Sequence, residues 1–221
     1  MARFGIQDGP WFADRRDAGW RLGKRLAHLA LLRPIVVGLP RGGVIVAAQV
    51  AAGLGAPLDL LVVRKLGAPQ QPELALGAIA EGGSRVLNAD VVEATWIGEA
   101  ELARLTAREQ AALADEVTRY RRGRPPLEVA DRVVVVVDDG LATGATARAA
   151  IQALRGRGAQ RIVLAVPVAP ADTVRAFEAI ADEVVVLDVP RPFLAVGSAY
   201  GDFSAATDEE VLAALDESAR A

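Results

Sequence analysis

Apolar and polar positions alternate along the chain in two rhythms. In Asp14–Leu32, Ala18, Leu22, Leu26 and Leu29 recur at helical spacing, which predicts one helix with a single apolar stripe, stopped by Pro34. Ile35–Leu39 is a short continuous apolar run, the mark of a buried strand. Pro40-Arg41-Gly42-Gly43 then reads as a turn, followed by an apolar helix over Val44–Leu54 that Gly53 and Gly55 end. Leu58–Val63 predicts a second strand and Gly67–Glu73 a loop. Leu74–Ala80 and Arg85–Leu87 read as strands joined at Gly82-Gly83. Residues 98–122 form a long amphipathic pattern with Leu102, Leu105, Leu113, Val117 and Tyr120 on one stripe, expected to be a largely solvated helix.

Five valines at Val133–Val137 are apolar on both faces and β-branched, which predicts a central parallel strand. A turn at Asp138–Gly144, a helix from Ala145 to Leu154, a strand at Arg161–Val166, a helix at Ala171–Ile180 and a strand at Val184–Leu187 follow. Residues 190–206 are irregular. Thr207 with Glu210 three positions on predicts a capping box opening a C-terminal helix. Strand alternating with helix at least four times predicts an α/β fold, a parallel sheet covered on both faces. Ligands in such folds bind beyond the carboxyl ends of the strands, which selects the turns at 40–43, 64–73 and 138–146.

Composition narrows the chemistry. The chain has 221 residues, a length for a single domain over 1–221, and no cysteine, which removes disulfides, thiolate nucleophiles and iron–sulfur ligation. His28 is the only histidine, so a histidine metal cluster is impossible, and the residue reads as structural. A net charge of -3 argues against broad nucleic-acid binding. No apolar run is long enough to cross a bilayer, and MARFGIQDGPWF lacks the apolar core of a signal peptide. The expectation is a cytoplasmic protein with neither nucleic-acid nor membrane partners. Only Lys24 and Lys65 among the 25 basic residues are lysine, which draws the eye to Lys65 at the end of Val62-Val63-Arg64-Lys65.

The densest chemistry lies in VVVVVDDGLATGAT, residues 133–146. A buried strand ends in two carboxylates. A turn of small residues follows and opens into a helix. Backbone N–H groups, the hydroxyls of Thr143 and Thr146 and the positive helix end make a phosphate cradle. Adjacent acids suit sugar hydroxyls, so the segment describes a ribose 5-phosphate site. A Walker A loop would need lysine where Ala145 stands.

This segment resembles the signature of the type I phosphoribosyltransferases, whose pattern is an apolar run, two acids, a variable stretch and Thr-Gly-x-Thr. GLPRGG, VVRKLGAP, ELALGAIAEGG and AVGSAYGDFSAATDEEV extend the likeness over roughly residues 12–215, toward a bacterial group of unassigned substrate. The resemblance implies a three-layer parallel-sheet fold with a hood at 190–206, to which the N-terminus contributes, and a helical insertion at 90–122. It implies magnesium-dependent transfer of phosphoribose from 5-phosphoribosyl 1-diphosphate to a nitrogenous base, releasing diphosphate. It also implies a homodimer, since relatives of the fold are often dimers.

Carried onto this chain, the resemblance gives Asp138 and Asp139 the ribose hydroxyls, and the turn from Gly140 through Ala142, Thr143, Gly144, Ala145 and Thr146 the 5-phosphate. It gives Pro40, Arg41, Gly42 and Gly43 the diphosphate, with Lys65 a further cation against it and residues 67–74 a mobile lid. Phe193, Tyr200 and Phe203 are candidates to stack on the base. Ala142 stands where hypoxanthine/guanine enzymes carry an acid, which weakens a 6-oxopurine acceptor. The other reading is a non-catalytic sensor or regulator binding the same donor or a nucleotide.

Overall fold

A computed structural model describes residues 11–220; residues 1–10, which carry most of the opening segment MARFGIQDGPWF, lie outside the described residues, as does Ala221. In chain order the elements are α1 (Arg15–Arg25), a 3-10 segment (Ala27–Leu32), β1 (Ile35–Gly38), α2 (Gly42–Leu54), β2 (Leu58–Leu60), β3 (Val63–Ala68), β4 (Gln71–Ala80) and β5 (Arg85–Leu87). There follow α3 (Ala89–Ala94), α4 (Glu99–Arg121), β6 (Val133–Val137), α5 (Ala145–Gly156), β7 (Arg161–Val168), α6 (Ala171–Glu178), β8 (Glu183–Asp188), a 3-10 segment (Val196–Ala199) and α7 (Asp208–Ser218).

The valine run sits mid-sheet. Five parallel strands pair in the order β2-β1-β6-β7-β8. Alternation sends Val134 and Val136 to a core shared with α5 and Phe177 of α6, and Val135 and Val137 to one shared with α1 and α2. Both faces are therefore covered, as a continuous apolar strand requires. No helix among the described residues is long and apolar enough to cross a membrane.

The first helix ends sooner than its stripe suggests. At Leu26 the backbone tightens, and the stripe residues Ala18, Leu22, Leu26 and Leu29 stay buried along helix and 3-10 turn alike. Close packing of α1 on α2 depends on glycine: a Cβ on Gly19 would lie 2.5 Å from the Val46 carbonyl oxygen.

The expected strand at 58–63 is two strands. β2 ends at Leu60 in the parallel sheet, and the chain crosses at Leu61-Val62 into an antiparallel sheet ordered β3-β4-β5. Leu61 and Val62 are each 1% exposed, so an apolar run continues while the sheet changes. The expected loop at 67–73 is the tight end of the β3–β4 hairpin, with Ala68 paired to Gln71.

α4 is less solvated than its charges suggest. Leu113 and Tyr120 are buried and Leu102, Leu105 and Val117 pack beside them, against the small sheet and α7. Arg121 at its end bonds Glu81 at 2.6 and 2.9 Å and the Leu60 carbonyl at 2.8 Å, and also pairs with Asp59. This buried knot ties α4 to both sheets beside the crossover.

Candidate active site

The site is built where β1 and β6 end side by side. Leu39 N–H donates to the Val137 carbonyl at 3.0 Å, holding the turn after β1 against the turn after β6. The glycines of the first turn allow contact with the acids of the second. A Cβ on Gly42 would fall 2.0 Å from Asp139 Oδ2, and one on Gly43 would fall 2.9 Å from Asp138 Oδ1. Two segments about a hundred residues apart in sequence thus meet with no room for a side chain between them.

Asp138 accepts the Asp139 N–H on Oδ1 at 2.9 Å. Burial pushes its carboxyl well above the ordinary range, and the neighbouring charge of Asp139 adds to the rise. Asp139 is also raised by burial, against the pull of Arg15, whose Nε donates to Asp139 Oδ2 at 2.8 Å. The Tyr200 hydroxyl donates to the Asp139 carbonyl. Gly140 seats the turn against the hood: a Cβ there would lie 2.4 Å from Val196.

Beyond Gly140 the turn is fixed from outside. Leu141 N–H donates to the Val168 carbonyl at 2.9 Å, and Thr173 Oγ1 donates to the Ala142 carbonyl at 2.8 Å. Gly144 holds a left-handed conformation, φ 71°, with the Phe177 ring where a side chain would be. No side chain caps α5, so the amides of its first turn have no side-chain acceptor at the N-cap.

Arg41, Lys65 and Thr146 share one cavity of about 370 Å³, with Pro40 on its wall. α4 supplies Glu116 and Tyr120 to the same space. Arg64 beside Lys65 is turned toward α4, bonding Glu109 at 2.9 Å and lying 3.3 Å from Glu116. Lys65 therefore stands on the small sheet, facing a cavity whose other wall belongs to the parallel sheet. Thr143 opens the other way, into a cavity of about 250 Å³ with Ala145 and Arg148. The two threonines of the motif thus flank the helix start rather than share one space.

The aromatic candidates divide. Phe193 is half-buried against the Phe12–Tyr200 cluster. Tyr200 is 6% exposed; its ring lies 5.4 Å from Phe12 and 4.9 Å from Phe203, so it braces the acid turn from within instead of offering an open face. Phe203 has the Arg15 guanidinium 4.0 Å over its ring. His28 bonds Glu183 at 2.9 Å, at the amino end of β8, away from the site.

Sequence reasoning missed Arg15, Glu116 and Tyr120. Tyr120 was legible only as part of an apolar stripe, Glu116 only as a helix charge, and Arg15 carried no signal among so many arginines.

The chain is similar to known proteins in sequence and in fold. The family described as "Phosphoribosyl transferase domain" matches residues 22–191. Two curated proteins of Mycobacterium tuberculosis, "Putative phosphoribosyl transferase Rv0571c" and "Putative phosphoribosyl transferase MT0597", are each 52% identical over 209 residues, or 95% of this chain. The chain spans 47% of the length of each of these relatives. The crystal structure of TT1426 from Thermus thermophilus is 48% identical, with a TM-score of 0.84, over 93% of this chain and 98% of that one.

Proposed function

Because the chain belongs to the phosphoribosyl transferase domain family, we propose that it transfers phosphoribose from 5-phosphoribosyl 1-diphosphate to a ring nitrogen of a base, releasing diphosphate. The observation that carries this reading is the meeting of three distant segments beyond the carboxyl ends of β1 and β6. Arg41, Lys65 and Thr146 line one cavity, and the Gly42-Gly43 turn lies against Asp138 and Asp139.

In this reading the amides of Ala142–Thr146, where the turn opens into α5, hold the 5-phosphate, and the acid pair holds the ribose hydroxyls. Arg41 and Lys65 face the diphosphate. As the C1–O bond breaks, negative charge gathers on the departing group, where two cations offset it, while the carboxylates lie beneath a sugar gaining positive character. No covalent enzyme intermediate is required. Phe193, on the hood, is the residue proposed to meet the base.

Among the described residues no group of three or more His, Cys, Asp or Glu could hold a metal ion. The diphosphate cavity presents two cations, Arg41 and Lys65, and the carboxylate of Glu116, so its donor set fits magnesium carried on the substrate's own oxygens. Bound that way, the ion would neutralise charge on the leaving group.

The second reading is a sensor that binds the donor without turnover. It is favoured by the state of the rings that would meet a base: Tyr200 is buried and the Arg15 guanidinium covers Phe203. Calorimetry with 5-phosphoribosyl 1-diphosphate and magnesium, followed by diphosphate release over a panel of bases, separates the two. Transfer predicts binding with release on at least one base, and Lys65→Ala lowering turnover about a hundredfold with affinity changed less. Binding without release on any base supports the sensor; no binding removes both.

A further inference from the structure

Arg15 opens α1, yet its side chain neither caps that helix nor packs in its buried stripe. The cap is Asp14, whose side chain accepts from Asp17 N–H, and the packing comes from Ala18, Gly19, Leu22 and Gly23. The Arg15 guanidinium reaches across 124 positions of sequence to Asp139, at 2.8 Å. Its Nη1 donates to the Ser204 carbonyl at 2.7 Å, and its plane covers the Phe203 ring at 4.0 Å. Phe203 stacks on Tyr200 at 4.9 Å, and the Tyr200 hydroxyl returns to the Asp139 carbonyl. The chain of contacts begins and ends on one residue. The Arg15 side chain is 13% exposed, and turning it breaks three contacts at once.

We infer that Arg15 is the positioning residue of this site, fixing the Asp139 carboxylate from α1 while gripping the hood at Ser204 and Phe203, so that acid pair and hood move as one. The inference rests on the proposed pentose role of Asp139. A guanidinium is planar and directs its donors, so its Nε–H anchors Asp139 Oδ2 and leaves the second oxygen as the hydroxyl acceptor. A lysine would supply the charge without the orientation or the ring contact.

Charge follows from the same geometry. The groups facing Asp139 are Asp138 from its own turn, Arg15 from α1 and Tyr200 from the hood, while Asp202 lies near Arg15. Burial favours the protonated acid; Arg15 is the cation that opposes it. With Arg15 removed, Asp139 holds its proton to higher pH, and donor binding is lost first on the acid side.

The test uses the whole chain with Arg15→Gln and Arg15→Lys. In the ligand-free protein, carbon-13 NMR of labelled aspartates, assigned with Asp139→Asn, reads the Asp139 midpoint. It should rise in Arg15→Gln, and in Arg15→Lys it should fall between wild type and Arg15→Gln. Calorimetry with 5-phosphoribosyl 1-diphosphate and magnesium should then show Arg15→Gln losing about tenfold or more in affinity near pH 6 and less near pH 9. An unmoved midpoint, or a loss of the same size at every pH, overturns the inference. If Arg15→Gln does not fold, Arg15→Lys decides by the same two readouts. Absence of donor binding by the wild-type chain would instead defeat the proposed function, while the NMR arm still decides whether Arg15 governs Asp139.

Discussion

At the scale of single residues, the acid pair sets function against stability. Asp138 is buried beside a second carboxylate, and its pKa in the folded chain is raised from an ordinary value of 3.8. A raised acid gives the folded state more bound protons than the unfolded one, so its contribution is most favourable below 3.8 and is lost as pH rises through the folded value. Asp138→Asn keeps an oxygen for the Asp139 N–H and removes the buried charge. It should therefore raise Tm at pH 7, show no gain below pH 3.8, and abolish donor binding; thermal melts across pH read the first two effects and calorimetry the third. Equal Tm values for both proteins at pH 7 would contradict the assignment of burial as the cause. These acids were legible in sequence because one short segment carries the strand, the carboxylates and the helix start together. Arg15 was not, because its meaning lies in a contact 124 positions away.

At the scale of elements, local signals read well and changes of partner did not. Thr207 caps α7 as its spacing with Glu210 predicted: Glu210 N–H donates to Thr207 Oγ1 at 3.2 Å, and the Glu210 carboxylate accepts the Thr207 N–H at 2.8 Å. Thr207→Ala should cost about 1 kcal/mol. For a chain of this size that lowers Tm by about 2–4 °C, with donor affinity unchanged. The crossover at Leu61-Val62 left no trace, because both sheets bury their residues and the apolar pattern runs on without a break. The tip of the β3–β4 hairpin was misread for the opposite reason: proline and glutamine suggested a loop, while pairing to a neighbouring strand makes it part of a sheet. α4 showed its stripe but not its target, since periodicity says which face is covered and never by what.

At the scale of the whole molecule, the parallel architecture was legible from alternating strands and helices, whereas the second sheet and its anchorage were not. Arg121 meets Asp59 and Glu81, partners 62 and 40 positions away, all three buried. Removing one member leaves uncompensated charge in the interior, so Arg121→Ala should destabilise the fold by about 3–5 kcal/mol, measurable by urea unfolding. A loss under about 1 kcal/mol would mean the knot is not holding the two sheets. The crossover beside that knot has a consequence for heating. Lys65 rides on a three-stranded antiparallel sheet, whereas Arg41 and Thr146 belong to the five-stranded parallel layer, covered on both faces. Warming should fray the smaller layer first and draw its lysine off the ligand, so donor affinity fades at temperatures where circular dichroism still reports intact helices.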